Sequence, residues 1–522
     1  MNMKNFLPVF FSRILETLTG LLLVGNFCLF LYQASLLLSH PYSVNVVEGA
    51  MWASVAISSR FGLYPDYFHW PYIPTSYPPL FYLLTMGVHF LTNWGLAAGR
   101  LVSLIASLLT AGIFFKIVYE RTKKIIPAGV IFFCFFISPD IYHWGLIYRI
   151  DLLMMLNLTA AVYWGMVRGK TFTERMLSVI FLILAFFTKS TCLITVGFLF
   201  VYWFFCELRQ RKSEASFWKR IPIQTAVLSC FLILSIFLIT QILQFLAHGR
   251  YVQSVFGLMS VMTKFHFRHG VLIFRDFINY VFPLIFFAIL ILLPKVRARA
   301  LSMEFYFSFL AFMTATFSLW VIGSREGSDS NYVLEAYMWL FVLLSFGIGD
   351  VWKEQGYRKI IQGLIVLSCF AFFVEGSQHH DVFMQIGDVG FYRGDAVVKK
   401  ILQHRLEQIP GEALAEDPAI AIRASKTPVF EPYILGALSQ KKIWDPGPFI
   451  QEIERGDYAY VVFIDRYRDH VPFFMPLLEK YYKKVWTCKS PMNHMTSKQW
   501  VLYQWKNQVQ RSDKKSIVSS PK

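Results

Sequence analysis

The sequence predicts a polytopic α-helical membrane protein with about eleven transmembrane helices and a small C-terminal α/β domain. The first observation is composition: 56% of the 522 residues are apolar and only 16% are charged, against about 45–50% and about 25% in soluble domains. The second is the length of the apolar runs, which reach the roughly 20 residues that a helix needs to cross a bilayer. The third is a basic charge in every second connection. A soluble enzyme and a disordered chain are thereby excluded.

Eleven apolar runs account for the predicted spans. Two of them are weaker, because 125–143 contains two prolines and 175–189 is short. The runs do not alternate and exceed the length of barrel strands, which favours helices. They lie at 14–37, 98–118, 125–143, 150–167, 175–189, 190–206, 221–247, 277–293, 303–323, 332–349 and 359–375.

The formal net charge of +17 fits either a nucleic-acid partner or a membrane orientation, and position decides between them. Short connections rich in Lys and Arg mark the cytoplasmic side of a membrane. The pattern therefore predicts a cytoplasmic N-terminus, an extracytoplasmic C-terminal domain and no nucleic-acid partner. The outer loop 248–276 is the exception, since it is also basic. The regular basic segments lie at 4–13, 121–124, 168–175, 209–220, 295–299 and 353–359.

The orientation holds only if the apolar segment 78–93 does not cross the membrane. It begins with two prolines and has 16 residues, which is short for a span. We therefore expect interfacial helices in the first outer loop, roughly residues 38–97. The aromatic residues of the segment suit such a position.

After residue 375 the charge rises and helical and strand patterns alternate, which is typical of a small α/β domain. The sequence thus predicts a transmembrane catalytic domain over 1–375, an extracytoplasmic domain over 376–510 and a disordered tail over 511–522. Within the second domain the patterns predict helices at 396–409, 449–454 and 471–483, and strands at 458–464 and 498–505.

Ionisable residues at the outer ends of spans are the candidate site, because such residues are rare in membranes and tend to be functional. Glu48 follows the first span and suits either a general base or an acid at a helix N-terminus. Arg149 and Asp151 open the fourth span. They suit a phosphate ligand and an acceptor-binding acid, or a plain ion pair or helix cap.

Two further segments complete the candidate set. Lys189 lies between two apolar runs with almost no loop, where it can bind a lipid phosphate or extend to the headgroups. The polar loop that begins at Gly323 contains Arg325 and a helix cap at Asp329 or Ser330. That cap does not explain the residues that follow, because Asn331 and Glu335 lie one turn apart on one helix face, with Tyr332 beside them. No Cys or His spacing predicts a metal site.

Taken in order, these motifs resemble those of the GT-C membrane glycosyltransferases. The resemblance is to the bacterial family-39-type enzymes, akin to protein O-mannosyltransferases and lipid A aminoarabinose transferases. It covers the membrane part of the chain, and Glu416-Asp417-Pro418 extends it to the C-terminal domain. The membrane motifs are Glu48-Gly49, Tyr77-Pro78-Pro79-Leu80-Phe81-Tyr82, Gly99-Arg100-Leu101, Arg149-Ile150-Asp151, Thr188-Lys189 and Asn331-Tyr332-Val333-Leu334-Glu335.

The resemblance implies a hexosyl- or pentosyltransferase of cell-envelope glycan biosynthesis in the bacterial cytoplasmic (inner) membrane. Such an enzyme moves a sugar from a polyprenyl-phosphate carrier to a lipid, glycan or protein acceptor at the outer face. Glu48 is then the base or holds the acceptor, and Asp151 assists. Arg149 and Lys189 bind the carrier phosphate, and Tyr77 shapes the carrier groove.

Many relatives carry paired acids in the first outer loop, whereas Val47 precedes Glu48 here. The motifs therefore allow a divalent cation but do not require one. Arg325, Asn331, Tyr332 and Glu335 are expected to contribute to substrate binding.

Two other functions remain open from the sequence. One is a flippase or transporter of lipid-linked sugars, which is expected to show related halves and broken midplane helices. No such halves are evident in this sequence. The other is a non-catalytic GT-C-like scaffold of an envelope complex, which the single first-loop acid leaves open.

Overall fold

The computed structural model describes residues 3–210, 222–261, 264–297, 302–325, 328–352, 355–378, 389–463, 471–489 and 499–506. The first part of the chain is a bundle of long helices. Its helices are α1 (Met3–Ser39), α2 (Val46–Phe61), α3 (Leu80–Thr92), α4 (Leu96–Thr122), α5 (Ile125–Phe135), α6 (Pro139–Trp144), α7 (Asp151–Val162), α8 (Phe172–Phe186), α9 (Leu193–Gln210), α10 (Ile223–Leu246), α11 (Leu258–Val261), α12 (Phe267–Arg297), α13 (Met303–Ile322), α14 (Leu334–Val351) and α15 (Gln355–Gln378).

The chain is a multi-pass membrane protein. In the described part of the chain, seven helices are long and apolar enough to cross a bilayer, and each coincides with a predicted run. These seven spans are Ser12–Ser39, Leu96–Thr122, Leu193–Gln210, Ile223–Leu246, Phe267–Ile291, Met303–Ile322 and Ser330–Gly349.

The other four predicted runs form helices of different character. Run 125–143 is divided into α5 and α6, because Ser138 caps a new helix with Pro139 at its first turn. Run 150–167 is α7 followed by a π-helical turn, Tyr163–Arg168. Run 175–189 begins within α8 and extends three residues past its end, and run 359–375 lies inside α15.

The segment predicted not to cross forms α3, a helix of 13 residues. At 1.5 Å per residue such a helix is about 20 Å long, shorter than a bilayer core of about 30 Å. Its length is compatible with the expected interfacial position, which stays a prediction. Together with α2 it lies in the connection between α1 and α4, residues 40–95, which we call the first loop.

The C-terminal region is a four-stranded mixed sheet with helices on both faces. The strands are β1 (Glu412–Ala415), β2 (Tyr458–Phe463), β3 (Tyr482–Lys489) and β4 (Gln499–Trp505), in the order β1-β2-β4-β3. β1 is parallel to β2, and the other pairs are antiparallel. The helices are α16 (Val389–Glu407), α17 (Pro418–Arg423), α18 (Pro432–Gln440), α19 (Gly447–Arg455) and α20 (Phe474–Tyr481).

Two apolar layers cover the sheet. α16 and α17 pack on one face through Leu402, Ile420 and Val462. α18 to α20 pack on the other face, where Leu435, Phe449 and Val461 are buried. The opposite placement of Val461 and Val462 follows from the two-residue period of a strand.

Sequence patterns predicted part of this region. The predicted helices around 396–409 and 449–454 and the strands at 458–464 and 498–505 are present, apart from Ile464 and Lys498, which lie outside the described residues. The helix predicted over 471–483 is wrong at its end, because β3 begins at Tyr482. The Tyr, Val, Trp and Thr side chains of β3 favour a strand, and its pairing with β4 overrides the local helical pattern. β1 was not predicted.

The boundaries of the predicted domains stay predictions. α15 continues to Gln378, past the predicted boundary at 375, and the predicted tail 511–522 lies outside the described residues. The C-terminal region contacts the first loop at several places, of which two involve the backbone or whole helices. Tyr72 pairs with Phe430 in a short parallel bridge, and α17 packs against α2.

Candidate active site

Apart from Arg325, the predicted site residues meet at one end of the helix bundle, where the first loop, the N-terminus of α7, the α8–α9 connection and the start of α14 converge. Two buried carboxylates occupy this region. Glu48 lies in the first turn of α2 and Asp151 in the first turn of α7, and both are 0% exposed. An acid is favoured there by the partial positive charge of a helix N-terminus. The two carboxylates differ in what surrounds them.

Glu48 is enclosed by four hydrogen-bond donors. Arg100 of α4 donates from Nε to Oε1 at 3.0 Å and from Nη2 to Oε2 at 2.7 Å. The N–H of Tyr148 donates to Oε1 at 2.7 Å and the N–H of Val44 to Oε2 at 2.9 Å. A carboxylate offers about four acceptor positions, so the Glu48–Arg100 pair leaves none for a further donor.

Every N–H group of the Arg100 side chain donates a hydrogen bond. Its Nη groups also donate to the carbonyl oxygens of Leu37, His40 and Tyr42, at 2.6, 2.7 and 2.7 Å. Burial raises the pKa of a carboxyl, but Arg100 and the two backbone N–H groups outweigh it and hold the pKa of Glu48 below its ordinary value. The pair ties the end of α1 to α4 and to the first loop. The sequence did not predict Arg100 as the partner, although the Gly99-Arg100-Leu101 motif singled it out.

Asp151 lies between two cations and an amide. Lys189 donates to Oδ1 at 2.6 Å, the Asn331 side-chain amide donates to the same oxygen at 2.9 Å, and Arg149 donates from Nε to Oδ2 at 3.1 Å. We call these four residues the Asp151 cluster. All four are almost completely buried. The cluster joins α7, the α8–α9 connection and the short 3-10 turn before α14.

The cations of the Asp151 cluster keep unused donors. Among the described residues, Arg149 hydrogen-bonds through Nε alone and Lys189 through one of its three N–H groups. Aromatic rings cover both: Arg149 Cζ lies 5.2 Å from the Trp144 ring centroid and 5.8 Å from that of Tyr77, and Lys189 Nζ lies 4.4 Å from that of Tyr332. Buried cations with unused donors are costly unless an anion completes them.

A narrow cleft leads from this cluster. Lys189, Asn331, Tyr332 and Glu335 line it together with small and apolar side chains. Glu335 Oε1 accepts from the N–H of Thr195 at 2.9 Å and from its hydroxyl, and Trp339 Nε1 donates to that hydroxyl at 3.1 Å. The carboxylate is therefore held at a fixed position in the cleft wall. Counting the charged side chains of Asp151, Arg149 and Lys189 gives the Asp151 cluster a net charge of +1.

The structure thus brings Tyr77, Arg149, Asp151, Lys189, Asn331, Tyr332 and Glu335 into one region. Arg325 lies at the exposed end of the α13–α14 connection, where its backbone pairs with Phe265; its role in substrate binding stays a prediction. Asp329 caps the 3-10 turn, as one interpretation of the sequence held. Sequence reasoning missed Trp144 and Thr195, for which no local signal exists.

Neither carboxylate site has the ligand set of a metal centre. No group of three or more His, Cys, Asp or Glu side chains arranged to bind a metal occurs in the described ranges. Each carboxylate instead accepts hydrogen bonds from nitrogen donors.

Comparison with solved structures identifies the architecture. ArnT from Cupriavidus metallidurans in its apo state matches with a TM-score of 0.59 and 12% sequence identity, covering 92% of this chain and 97% of that one. The same protein bound to undecaprenyl phosphate matches with a TM-score of 0.54 and the same identity and coverage. The chain has a GT-C fold. The GT-C architecture predicted from the sequence motifs is thereby confirmed.

The other comparisons give no further evidence about the fold or the family. The archaeal oligosaccharyltransferase AglB from Archaeoglobus fulgidus, in complex with an inhibitory peptide and a dolichol-phosphate, matches with a TM-score of 0.45 at 11% identity, covering 92% of this chain and 74% of that one. That similarity is too low to support an inference. No protein-family model matches the sequence, and no curated protein matches it significantly. Because a fold alone does not fix an activity, function has to be argued from the site.

Proposed function

We propose that this GT-C protein is a glycosyltransferase that takes a sugar from a polyprenyl-phosphate carrier and passes it to a hydroxyl of a lipid, glycan or protein. One observation carries the proposal: Arg149 and Lys189, two almost completely buried side chains beside Asp151, keep unused donors that match a phosphate group. Charge-assisted hydrogen bonds from Arg and Lys are the strong interactions with phosphate oxygens. The ArnT structure with undecaprenyl phosphate supports a carrier of this class.

The proposed reaction is a displacement at the anomeric carbon of the sugar. The acceptor oxygen forms a bond to that carbon while the bond from the carbon to the phosphate oxygen breaks. The polyprenyl phosphate leaves with the electron pair, and Arg149 and Lys189 stabilise its charge. The proton of the acceptor hydroxyl passes to a carboxylate.

Asp151 is the better candidate for that proton. Its three hydrogen bonds leave one acceptor position unused on Oδ2, whereas the four acceptor positions of Glu48 are all occupied. The sequence-based assignment of the base to Glu48 therefore stays a prediction. We assign Glu48 to holding the first loop on α4, and Glu335 to binding sugar hydroxyls in the cleft.

A membrane orientation completes the proposal. We infer that α5 with α6, α7 with its π-helical turn, α8 and α15 cross the bilayer in addition to the seven long spans, which gives eleven. The N-terminus is then cytoplasmic, and the Asp151 cluster and the C-terminal region lie on the outer face of a bacterial cytoplasmic membrane. A carrier that diffuses in the bilayer reaches a site at this depth without leaving the lipid.

Glycan and lipid mass spectrometry tests the function. A strain lacking the gene is complemented with wild-type protein, with Asp151→Asn or with Asp276→Asn. The last is a matched control, since Asp276 is partly exposed and pairs with Arg275. We expect one sugar to disappear from an envelope component in the deletion strain and to return with wild type and Asp276→Asn only. Return of that sugar with folded Asp151→Asn contradicts the proposal.

A further inference from the structure

Residues 42–44 of the first loop contact the Glu48–Arg100 pair on one side and the C-terminal region on the other. The Tyr42 carbonyl accepts from Arg100, and the Val44 N–H donates to Glu48. Between them, Ser43 turns away from this pair. Its partners come from residues more than 350 positions along the chain.

Lys399 of α16 and Asp417 at the N-terminus of α17 bind Ser43 from both ends. Lys399 Nζ donates to the Ser43 carbonyl, and the Ser43 hydroxyl donates to Asp417. The two charged groups also pair with each other at 3.3 Å. Lys399 is 2% exposed, Asp417 1% and Ser43 0%, so solvent does not screen these contacts.

Two neighbouring contacts reinforce this arrangement. Tyr42 Oη donates to Gln403 at 2.6 Å, one turn after Lys399 on α16. Gly49 lies against Asp417, and a Cβ at that position would overlap its carboxylate. The Glu48-Gly49 motif therefore combines an anchor to α4 with the small residue that lets the C-terminal region approach.

A continuous set of hydrogen bonds links this contact to the candidate active site. Glu48 accepts from the N–H of Tyr148, the residue before Arg149. Ser103 donates to the Arg149 carbonyl at 2.9 Å. Arg149 in turn binds Asp151. These buried contacts form a physical connection from residues 42–49 to Arg149 and Asp151.

The C-terminal region also docks on the first loop through apolar side chains, because α17 packs on α2, with Ile422 against the buried Ala53 and Ile57. A buried ion pair adds little net stability to such a contact, because desolvation offsets the attraction. The ion pair instead fixes the orientation of the C-terminal region on the first loop. The placement of this pair on the loop that carries Glu48 therefore needs an explanation beyond docking.

We propose that Lys399 and Asp417 are positioning residues of the transfer reaction, which hold residues 42–49 and, through Glu48 and Tyr148, set the position of Arg149 and Asp151. The reaction itself rests on the function proposed above. The C-terminal region is then part of the catalytic unit, although it supplies no group to the reacting atoms.

Steady-state kinetics and hydrogen exchange of the full-length protein in nanodiscs test this role. The variants are Lys399→Met, Asp417→Asn and the milder Ser43→Ala, which keeps the carbonyl that Lys399 binds. Lys400→Met is the matched control, because its side chain is exposed on the same helix. We expect kcat to fall about tenfold to hundredfold in folded Lys399→Met and Asp417→Asn, with KM nearly unchanged, as for a misplaced site.

Exchange gives a readout that does not depend on the reaction. We expect faster exchange at residues 145–151 in the three variants and wild-type exchange there in Lys400→Met. If Lys399→Met and Asp417→Asn do not fold, the kcat and the exchange of Ser43→Ala test the proposal. Faster exchange confined to α16 and α17, or wild-type kcat in folded variants, overturns the proposal. If wild-type protein shows no transfer, the proposed function fails, while the exchange at 145–151 still tests the positioning.

Discussion

Glu48 and Asp151 are two buried carboxylates at helix N-termini, each beside an arginine, and their surroundings differ in one respect. Arg100 donates every N–H group it has, and the charges of the Glu48–Arg100 pair cancel. Arg149 and Lys189 together exceed the charge of Asp151 and keep donors unused. All donors and charges of the Glu48–Arg100 pair are satisfied without a ligand. Those of the Asp151 cluster are satisfied only when an anion binds. We therefore interpret Glu48 as a structural anchor and the Asp151 cluster as a binding site.

The largest effect is expected from Asp151→Asn. If Asp151 takes the acceptor proton, transfer by the folded variant falls about 10²–10⁴-fold, the usual contribution of a general base. The measurement is the transfer rate in membranes with a lipid-linked sugar, normalised to folded protein. Asp276→Asn, the same chemical change at a partly exposed position, is expected to retain the wild-type rate.

Glu48→Gln is expected to differ from Asp151→Asn in transfer per folded molecule rather than in stability, because both changes leave a buried cation uncompensated. The change removes the charge that balances Arg100, and an uncompensated buried charge lowers the free energy of unfolding by about 3–5 kcal/mol. Thermal unfolding in detergent measures this loss. The fraction that remains folded is expected to transfer sugar far better than Asp151→Asn. Normal stability with abolished transfer in Glu48→Gln would instead assign the base to Glu48.

Removing the surplus cations one at a time sharpens the comparison. Arg149→Gln and Lys189→Met are each expected to weaken undecaprenyl phosphate binding about tenfold to hundredfold, since hydrogen bonds to charged groups contribute about 1.5–3 kcal/mol. Binding is titrated in nanodiscs. Arg275→Gln and Lys264→Met remove the same charges from exposed positions and serve as controls. Equal losses in the controls would indicate general attraction of anions rather than a specific site.

Glu431 is a buried carboxylate without a cation beside it in the ranges that the structure describes, and it shows how burial alone changes a pKa. Glu431 caps α18 by accepting the Ile434 N–H at 2.7 Å, and burial raises its pKa to about 7. Between its ordinary pKa of 4.5 and about 7, the folded protein keeps a proton that the unfolded chain releases. Stability therefore falls as the pH rises through this window, by at most about 1.4 kcal/mol per pH unit.

Glu431→Gln is expected to remove this pH dependence. Melting temperatures of the variant and of wild-type protein are compared between pH 5 and pH 8. We expect the wild type to lose stability relative to the variant as the pH rises. The same relative stability at both pH values would show that Glu431 does not titrate in this range.

The sequence was sufficient for the membrane class, the GT-C fold and the four members of the Asp151 cluster. Those residues were visible because an ionisable side chain next to an apolar run is conspicuous by itself. Their partners were not visible. Lys189 and Asn331 reach Asp151 across 38 and 180 positions, and no local pattern encodes such a contact.

Glu48 illustrates the same limit. Its position in the sequence fitted a general base or an acid at a helix N-terminus, and its role as an anchor follows only from the location of Arg100, 52 positions away. Strand β3 was missed for a related reason: its pairing with β4 decides its conformation more than its own residues do. Tertiary contacts therefore set both the role of a carboxylate and the end of a helix.

A structure of the protein with undecaprenyl phosphate tests the central claim most directly. We predict that the phosphate oxygens lie within hydrogen-bonding distance of the terminal nitrogens of Arg149 and of Lys189 Nζ, with the Glu48–Arg100 pair unchanged. A phosphate bound instead at Arg100, or at the basic residues of 248–276, would contradict the account.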